Sequence, residues 1–164
     1  MNKALIITLA LGLGLLTACD KSRQATTPTA QAKSATVAWM DDFEKAKAEA
    51  AALKRPILAY FTGSDWCGWC VKLKSEALDT EPFAAFAKDN LVLFEADFPR
   101  GKELSEKVKA QNEDLAGWYR VNGFPTLFLL SAEGKILAET GYQEGGAEAY
   151  VAHLKELISQ ANSK

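Results

Sequence analysis

Two cysteines separated by only two residues are the clearest chemical feature of this chain. Cys67 and Cys70 lie in the sequence Trp-Cys-Gly-Trp-Cys, where a short apolar run gives way to a stretch with helical spacing. Residues three apart lie on one face of a helical turn, so the two sulfurs can approach to the distance of a disulfide bond. The spacing therefore predicts a reversible dithiol–disulfide pair.

The start of a helix also makes a thiol reactive. Free backbone N–H groups and a partial positive charge at that position favour the thiolate over the thiol. Cysteines in such motifs titrate at about 3.5 to 7.5 rather than about 8.5, and the thiolate is the species that attacks a disulfide sulfur. We expect Cys67, at the start of the helix, to be the exposed nucleophile and Cys70 to be the resolving thiol.

The third cysteine must have a different role, because an odd number cannot be fully paired within one molecule. Cys19 ends an N-terminal segment that begins with Lys3 and continues as a largely apolar run over residues 4–16. This pattern is typical of a secretory leader. The run is too short to cross a hydrocarbon core of about 30 Å, which takes about 20 residues. A buried core helix is the alternative, but residues 20–23 turn polar at once.

The sequence Leu-Thr-Ala-Cys that ends at Cys19 resembles the processing site of bacterial lipoproteins. The resemblance implies that residues 1–18 are a signal peptide and that Cys19 carries lipid, which would anchor the chain in the bacterial cell envelope, facing the periplasm. Asp20 resembles the signal that retains lipoproteins in the inner membrane. Lipidation stabilises membrane binding by about 0.8 kcal/mol per buried methylene. An ordinary leader that leaves Cys19 as a free thiol is the alternative.

The composition is that of one ordinary globular domain with a short extension. The chain has 164 residues, of which 48% are hydrophobic and 24% are charged, which excludes disorder over most of its length. A formal charge of −2 leaves no polybasic surface, so nucleic acid is not an expected partner. Residues 19–36, rich in Thr, Ala, Gln and Ser, predict a flexible tether, and residues 37–164 predict the folded domain.

Helical and strand patterns alternate through that domain. Trp39 and Leu53 lie on the apolar face of the first helical pattern, and Trp118 lies on that of the fourth. The last two strand patterns are joined by a short turn that ends at Gly134, which predicts a hairpin. The order predicts an α/β fold with a central mixed β-sheet flanked by helices. Helical patterns cover residues 39–53, 67–78, 82–88, 102–119 and 147–158, and strand patterns cover residues 57–61, 91–98, 126–131 and 135–140.

Trp-Cys-Gly-X-Cys after an apolar strand, followed further along by Gly-Phe-Pro-Thr at residues 123–126, resembles the thioredoxin family. The resemblance implies a thioredoxin-like fold and a thiol–disulfide oxidoreductase that needs no cofactor or metal. It also implies that Pro125 is cis and lies against the cysteines, which leaves the Phe124 backbone free to pair with an extended substrate. The residues expected to support or bind substrate are Trp66, Gly68, Trp69, Phe124 and Pro125.

Residues 60–66 and 95–99 resemble a secreted bacterial branch of that family, related to the reducing domain of the transmembrane disulfide reductase system. This implies a reductase or isomerase that acts on protein or small disulfides and is recharged by a membrane electron-transfer partner. A secreted site meets an oxidising compartment, so the residues alone leave the direction of electron flow open.

Two positions depart from the usual thioredoxin pattern. Trp69 replaces the proline between the cysteines, which leaves the redox potential open, since the intervening dipeptide helps to set thiolate stability. Tyr60 occupies the strand position of a buried acid that assists proton transfer at the resolving cysteine. Asp65, Glu95 and Asp97 are candidate substitutes for that acid, although an exposed structural or capping carboxylate is the favoured interpretation of each.

Two other functions compete with disulfide exchange. Cys-X-X-Cys is also half of a zinc site, but Cys19 is assigned to lipid and His153 is predicted to be a solvated residue on the polar side of the last helix. The chain could instead be a non-catalytic binding or chaperone module. Trp66, Trp69 and Phe124 would then form an apolar rim that holds a partner, unless Trp66 faces the core.

Overall fold

A computed structural model of the chain describes residues 38–163. The predicted signal peptide, the predicted lipidation site Cys19 and the predicted tether over residues 19–36 lie outside the described residues, as does residue 37. Within the described part of the chain, no helix combines the length and apolar character that a membrane crossing requires.

Four strands form one mixed sheet, as the sequence predicts. They are β1 (Ile57–Thr62), β2 (Val92–Asp97), β3 (Thr126–Leu130) and β4 (Ile136–Thr140), in the spatial order β2-β1-β3-β4. β1 pairs in parallel with β2 and antiparallel with β3, and β3 pairs antiparallel with β4. Every residue of β1 is buried, which explains why this central strand reads as a continuous apolar run.

Within residues 38–163, five α-helices cover the sheet: α1 (Phe43–Leu53), α2 (Gly68–Leu73), α3 (Glu81–Asn90), α4 (Glu106–Tyr119) and α5 (Gly146–Asn162). A π-helical turn, Lys74–Leu78, directly continues α2. Asp42, Thr80 and Ser105 cap α1, α3 and α4, each accepting a hydrogen bond from a backbone N–H three residues further on. These side chains satisfy N–H groups that a helix leaves free at its start.

The first helix begins later than its apolar pattern predicts. Because Asp42 caps α1, Trp39 lies before the helix, where its ring packs against Tyr60 and Phe83. Met40 forms a parallel bridge with Phe94 at the outer edge of β2. The apolar residues at 39 and 40 therefore belong to the core and the sheet edge, not to a helical face.

The fourth helix shows a second difference from the prediction. Trp118 was placed on its apolar face, but this residue is 83% exposed. The buried positions are Asn112 and Leu115, and the Asn112 amide donates to the backbone carbonyl of Asp97. A polar residue thus occupies an inward position, which an apolar periodicity cannot reveal.

The sheet divides the core into two clusters. Along β1, Leu58 and Tyr60 point to one face, and Ile57 and Phe61 point to the other, as the alternation of a strand requires. Residues of α2, α3 and α5 pack on the first face, together with both cysteines of the Cys-X-X-Cys motif. Residues of α1 and α4 pack on the second. The motif therefore lies at the margin of a well-packed layer.

Candidate active site

Cys67 and Cys70 are joined by a disulfide bond, with their Cα atoms 5.2 Å apart. Cys67 is the N-cap residue of α2, and its Sγ accepts a hydrogen bond of 3.2 Å from the backbone N–H of Cys70. The Cys67 carbonyl also accepts from the N–H groups of Cys70 and Val71. The start of the helix is thus aimed at the Cys67 sulfur, where it favours a negative charge after reduction.

Both cysteines are buried in this disulfide form. Cys67 is 7% exposed and Cys70 is 1% exposed, so the expectation of an exposed Cys67 is wrong for the oxidised protein. The physical reason is that Cys67 belongs to the core cluster of its sheet face, against which Phe124 also packs. Cys67 remains the more exposed of the two cysteines, in keeping with its position at the start of α2.

Tyr60 reaches the site from β1. Its hydroxyl donates to the Cys70 carbonyl at 3.2 Å and accepts from the Thr62 hydroxyl at 2.9 Å. Burial raises the pKa of Tyr60 to about 12, so this group stays neutral at ordinary pH. Tyr60 thus ties β1 to the first turn of α2 and positions Cys70.

Trp66 is bound to the loop that follows β2. Its indole N–H donates to the Phe98 carbonyl at 2.7 Å, and the Arg100 guanidinium lies 3.9 Å from the centre of its ring system. The ring also covers Gly63, where a Cβ would come within 2.7 Å of Trp66 Cζ2, so the close approach needs glycine. Trp66 is 39% exposed, and it is therefore neither a core residue nor a free rim residue.

The loop before β3 lies beside the end of β1 that leads to the cysteines, since Thr126 pairs with Phe61 in the sheet register. The Phe124–Pro125 peptide bond in this loop is cis. The Phe124 ring lies 5.8 Å from that of Trp66 and 5.1 Å from that of Phe98. The tertiary structure therefore brings the Gly-Phe-Pro-Thr motif next to the Cys-X-X-Cys motif.

Comparison with known proteins identifies the family. The sequence profile of the thioredoxin-like domain matches residues 43–158. The chain belongs to the thioredoxin-like family. It is 35% identical, over 94% of its length and 90% of the relative, to a protein from Chlamydia pneumoniae named "Disulfide bond reductase DsbH". A solved structure titled "DsbH Oxidoreductase" matches with a TM-score of 0.72 and 36% identity, covering 77% of this chain and 88% of that one.

More distant relatives agree on the fold. A Chlamydia pneumoniae protein named "Thioredoxin-related protein DsbJ" is 27% identical over 76% of this chain, but the match spans only 38% of that protein. A thioredoxin from Thermus thermophilus, 18% identical with a TM-score of 0.54, covers 79% of this chain and 91% of that one. The thioredoxin-like fold and its central mixed sheet are thus confirmed, and this thioredoxin-like protein is an oxidoreductase that exchanges thiols and disulfides.

The thioredoxin-like protein presents a second aromatic group, centred on Trp69 within the motif. Trp69 is 57% exposed, as the sequence predicts, and its ring lies 5.3 Å from that of Tyr142. Lys72 Nζ lies 5.1 Å from the centre of the Trp69 ring and 4.8 Å from that of Tyr142. The spacing of Trp69 and Lys72 on one helix could have indicated this pair, but Tyr142 follows β4 and is brought there only by the fold.

Asp65 has a structural role in the loop that follows β2. Its carboxylate accepts hydrogen bonds of 3.0 and 3.1 Å from the Arg100 N–H, and it also accepts from the Gly101 N–H. These backbone bonds hold the pKa of Asp65 below its ordinary value. Asp65 thus fixes the loop whose Phe98 and Arg100 hold Trp66.

The Asp97 carboxylate also forms hydrogen bonds and an ion pair. Its carboxylate accepts from the Ser64 N–H at 2.9 Å and from the Ser64 hydroxyl at 2.7 Å, and it pairs with Lys102 Nζ at 2.7 Å. Burial by itself raises the pKa of Asp97, but the bonds from Lys102 and Ser64 outweigh it and leave that pKa below its ordinary value. Asp97 therefore holds the loop between β1 and α2.

Glu95 has a different environment from the other two acids. It lies directly opposite Tyr60 in the β1–β2 register, and its Oε1 is 3.4 Å from Lys74 Nζ. Burial raises the pKa of Glu95 above its ordinary value, although the charge of Lys74 opposes this effect. Among the three acids that the sequence singles out, Glu95 is the one whose pKa is raised.

His153 does not match its prediction as a solvated residue. It is half-buried, and its Nε2 lies 2.8 Å from the Thr140 hydroxyl, so the residue links α5 to β4. Across residues 38–163, no group of three or more His, Cys, Asp and Glu side chains is arranged to hold a metal ion.

Proposed function

We propose that the protein reduces substrate disulfides through Cys67 and Cys70. The observation that carries this proposal is the hydrogen bond from the Cys70 N–H to Cys67 Sγ at the start of α2, because it favours the thiolate at Cys67. The Cys67 thiolate attacks one sulfur of the substrate disulfide, forms a mixed disulfide and releases the first substrate thiolate. Cys70 then attacks Cys67 Sγ, which closes the Cys67–Cys70 disulfide and releases the second substrate thiolate.

The relatives support the reducing direction. The Chlamydia pneumoniae protein that matches over 90% of its length is named a disulfide bond reductase. Each turnover in this direction consumes two electrons and leaves the protein oxidised, so a membrane electron-transfer partner must reduce Cys67–Cys70 again. An isomerase uses the same first attack, but the substrate's own thiol then resolves the mixed disulfide.

Two aromatic surfaces flank the disulfide and supply the binding site for an extended protein segment or a small disulfide. Trp66 and Phe124 lie on one side, and Trp69 lies on the other. Exposed apolar groups of this kind mark recognition surfaces. Pro125 contributes no N–H of its own, so we expect the substrate backbone to pair with Phe124 beside it. We also expect the substrate to pass over Gly68, where the space is open, since nothing lies within 4 Å of a Cβ built there.

Single-cysteine variants test this function. In a Cys19→Ser background, Cys67→Ser should abolish reduction of insulin disulfides, whereas Cys70→Ser should accumulate a mixed disulfide with the substrate. Turnover by Cys67→Ser at the rate of its parent would contradict the proposal. The reduction potential decides the direction, because a reductant of this type is expected at about −270 mV and an oxidant at about −120 mV.

We also propose that Cys19 anchors the protein by lipid to the inner membrane, facing the periplasm, after removal of residues 1–18. The support is the leader and the Leu-Thr-Ala-Cys-Asp sequence. In a bacterial host, the natural chain should sediment with inner-membrane vesicles and Cys19→Ser should not. A Cys19→Ser chain that still sediments with membranes would place the anchor elsewhere.

A further inference from the structure

Two basic side chains lie over the two tryptophans of the Trp-Cys-Gly-Trp-Cys motif. The Arg100 guanidinium lies 3.9 Å from the centre of the Trp66 ring system, and Lys72 Nζ lies 5.1 Å from that of Trp69. Each tryptophan directly precedes one cysteine of the disulfide in the chain. A positive charge therefore accompanies each tryptophan that precedes a reactive cysteine.

Within residues 38–163, these two cations have no carboxylate partner. Neither Arg100 nor Lys72 forms a salt bridge in this described range. Lys74 and Lys102, by contrast, are each paired with an acid of β2. Arg100 is exposed and Lys72 is partly exposed, so both can meet a carboxylate of another molecule without first breaking an ion pair.

Nearby acids do not neutralise the two cations equally. The Asp65 carboxylate is bound by backbone N–H groups, and the Glu76 carboxylate accepts from the Tyr142 hydroxyl at 2.7 Å. Contact with the Tyr142 hydroxyl and the negative charges of Glu76 and Glu144 raise the pKa of Lys72. The charge of Lys72 is thus partly offset by the acids around it.

Arg100 is the better suited of the two cations to bind an anion. A guanidinium group presents a planar fork of N–H donors that matches both oxygens of a carboxylate. The ring of Trp66 attracts the face of this cation and leaves the donors at its edge free. Trp66 is itself held, because its indole N–H donates to the Phe98 carbonyl at 2.7 Å. The guanidinium therefore lies over a fixed ring.

We propose that Arg100 and Lys72 select protein disulfides whose cysteines have acidic neighbours, by pairing with those carboxylates while Cys67 attacks. This inference rests on the proposed function of the cysteines and names the substrate class of that site. The formal charge of the chain is −2, so the molecule as a whole does not attract an acidic substrate. Exposed charges are screened beyond about 10 Å in about 0.1 M salt, and the preference therefore depends on these two local cations.

Two matched peptides, each with one internal disulfide, test this preference. One carries Glu beside both cysteines, and the other carries Gln at the same positions. The reduced Cys19→Ser chain is mixed with an excess of either peptide, and formation of the Cys67–Cys70 disulfide is followed by acid quenching and alkylation of the remaining thiols. The rate of each peptide with dithiothreitol, which is uncharged, corrects for intrinsic reactivity.

In the parent chain, we expect the corrected rate for the Glu peptide to be about fivefold higher than that for the Gln peptide, since exposed ion pairs contribute modestly. The ratio should fall towards one in about 1 M salt, where charges are screened beyond about 3 Å.

Charge variants assign the preference to individual residues. Arg100→Gln should lower the ratio to about twofold, Lys72→Gln should lower it less, and the double variant should remove it. Arg100→Lys should retain more of the preference than Arg100→Gln, because it keeps the charge although it loses the planar fork. Lys135→Gln is the matched control and should leave the ratio unchanged. This exposed lysine lies beyond the end of β3 that pairs with the start of β1, away from the cysteines.

The ratio of two rates separates charge selection from any general change that a variant causes around Trp66. Equal corrected rates for the two peptides in the parent chain, a ratio that salt does not alter, or a ratio that survives in the double variant overturns the inference. Failure of both peptides to oxidise the reduced parent chain, although dithiothreitol reduces both, would overturn the proposed function itself.

Discussion

At the scale of single residues, hydrogen bonds give similar side chains different roles around the cysteines. Asp65, Glu95 and Asp97 are the three acids that the sequence singles out near the site. Asp65 and Asp97 accept hydrogen bonds from backbone or hydroxyl donors, whereas Glu95 pairs with Lys74. The amide donors around Asp65 stabilise its charged form. The carboxylate of Asp65 therefore supports the shape of the site without taking part in its chemistry.

The pH dependence of stability should report this role of Asp65. Folding lowers the pKa of the Asp65 carboxyl. The stability that this carboxylate contributes is therefore present above its unfolded pKa of about 3.9, and it is lost as the pH falls through its pKa in the folded protein. Asp65→Asn should have a lower thermal midpoint than the parent near pH 7, and the gap should close as the solution becomes strongly acidic. Asp114→Asn, an exposed acid of α4, should show no such gap. A difference in thermal midpoint that stays constant with pH would contradict this role of the Asp65 carboxylate.

At the scale of elements, the helix that carries the cysteines changes its geometry within two turns. The Asp79 N–H donates to the Lys74 carbonyl at 2.8 Å, five residues back, in the π-helical turn that follows α2. Such turns insert an extra residue into the helical repeat. The periodic pattern over residues 67–78 predicts a helix there, but apolar spacing does not reveal this change of geometry. Ala77 and Leu78 are buried in the π-helical turn.

Replacing a glycine by alanine should have opposite effects on stability, depending on whether the added Cβ enters free space or meets another side chain. Nothing lies within 4 Å of a Cβ built at Gly117 in α4, so Gly117→Ala should stabilise the protein by about 0.5–1 kcal/mol through reduced backbone entropy of the unfolded chain. Gly63→Ala should destabilise it and change the Trp66 fluorescence, since the added methyl meets the indole ring. Urea unfolding measures both effects. Equal effects of the two replacements would contradict the packing described for Trp66.

At the scale of the whole molecule, the sheet separates two layers that serve different purposes. The face covered by α3 and α5 includes Cys67 and Cys70, whereas the face covered by α1 and α4 holds a separate apolar cluster that contains neither cysteine. Since β1 is shared by both layers, its burial on both sides makes it the common support of the site.

The two layers should respond independently to loss of packing. Leu154→Ala, in the layer with the cysteines, should cost about 2–5 kcal/mol, and Ile57→Val, in the other layer, about 0.5–1.5 kcal/mol. Their effects should add to within about 0.5 kcal/mol in the double variant, because the residues belong to separate clusters. Denaturant unfolding of the four proteins in the cycle measures this. A coupling energy well above that value would mean that the layers are not independent.

The sequence by itself determined the features that depend on near neighbours. The Cys-X-X-Cys spacing, the strand before it and the order of helices and strands follow from local periodicity and turn chemistry, whereas the motif around Phe124 and Pro125 was found by its resemblance to the thioredoxin family. Only the tertiary structure decided which partners each side chain meets: Lys74 for Glu95, Tyr142 for Trp69, the Arg100 loop for Asp65, and the inward position of Asn112. The physical reason is that these partners come from other elements, and their meeting depends on strand register and helix packing, which no local pattern encodes.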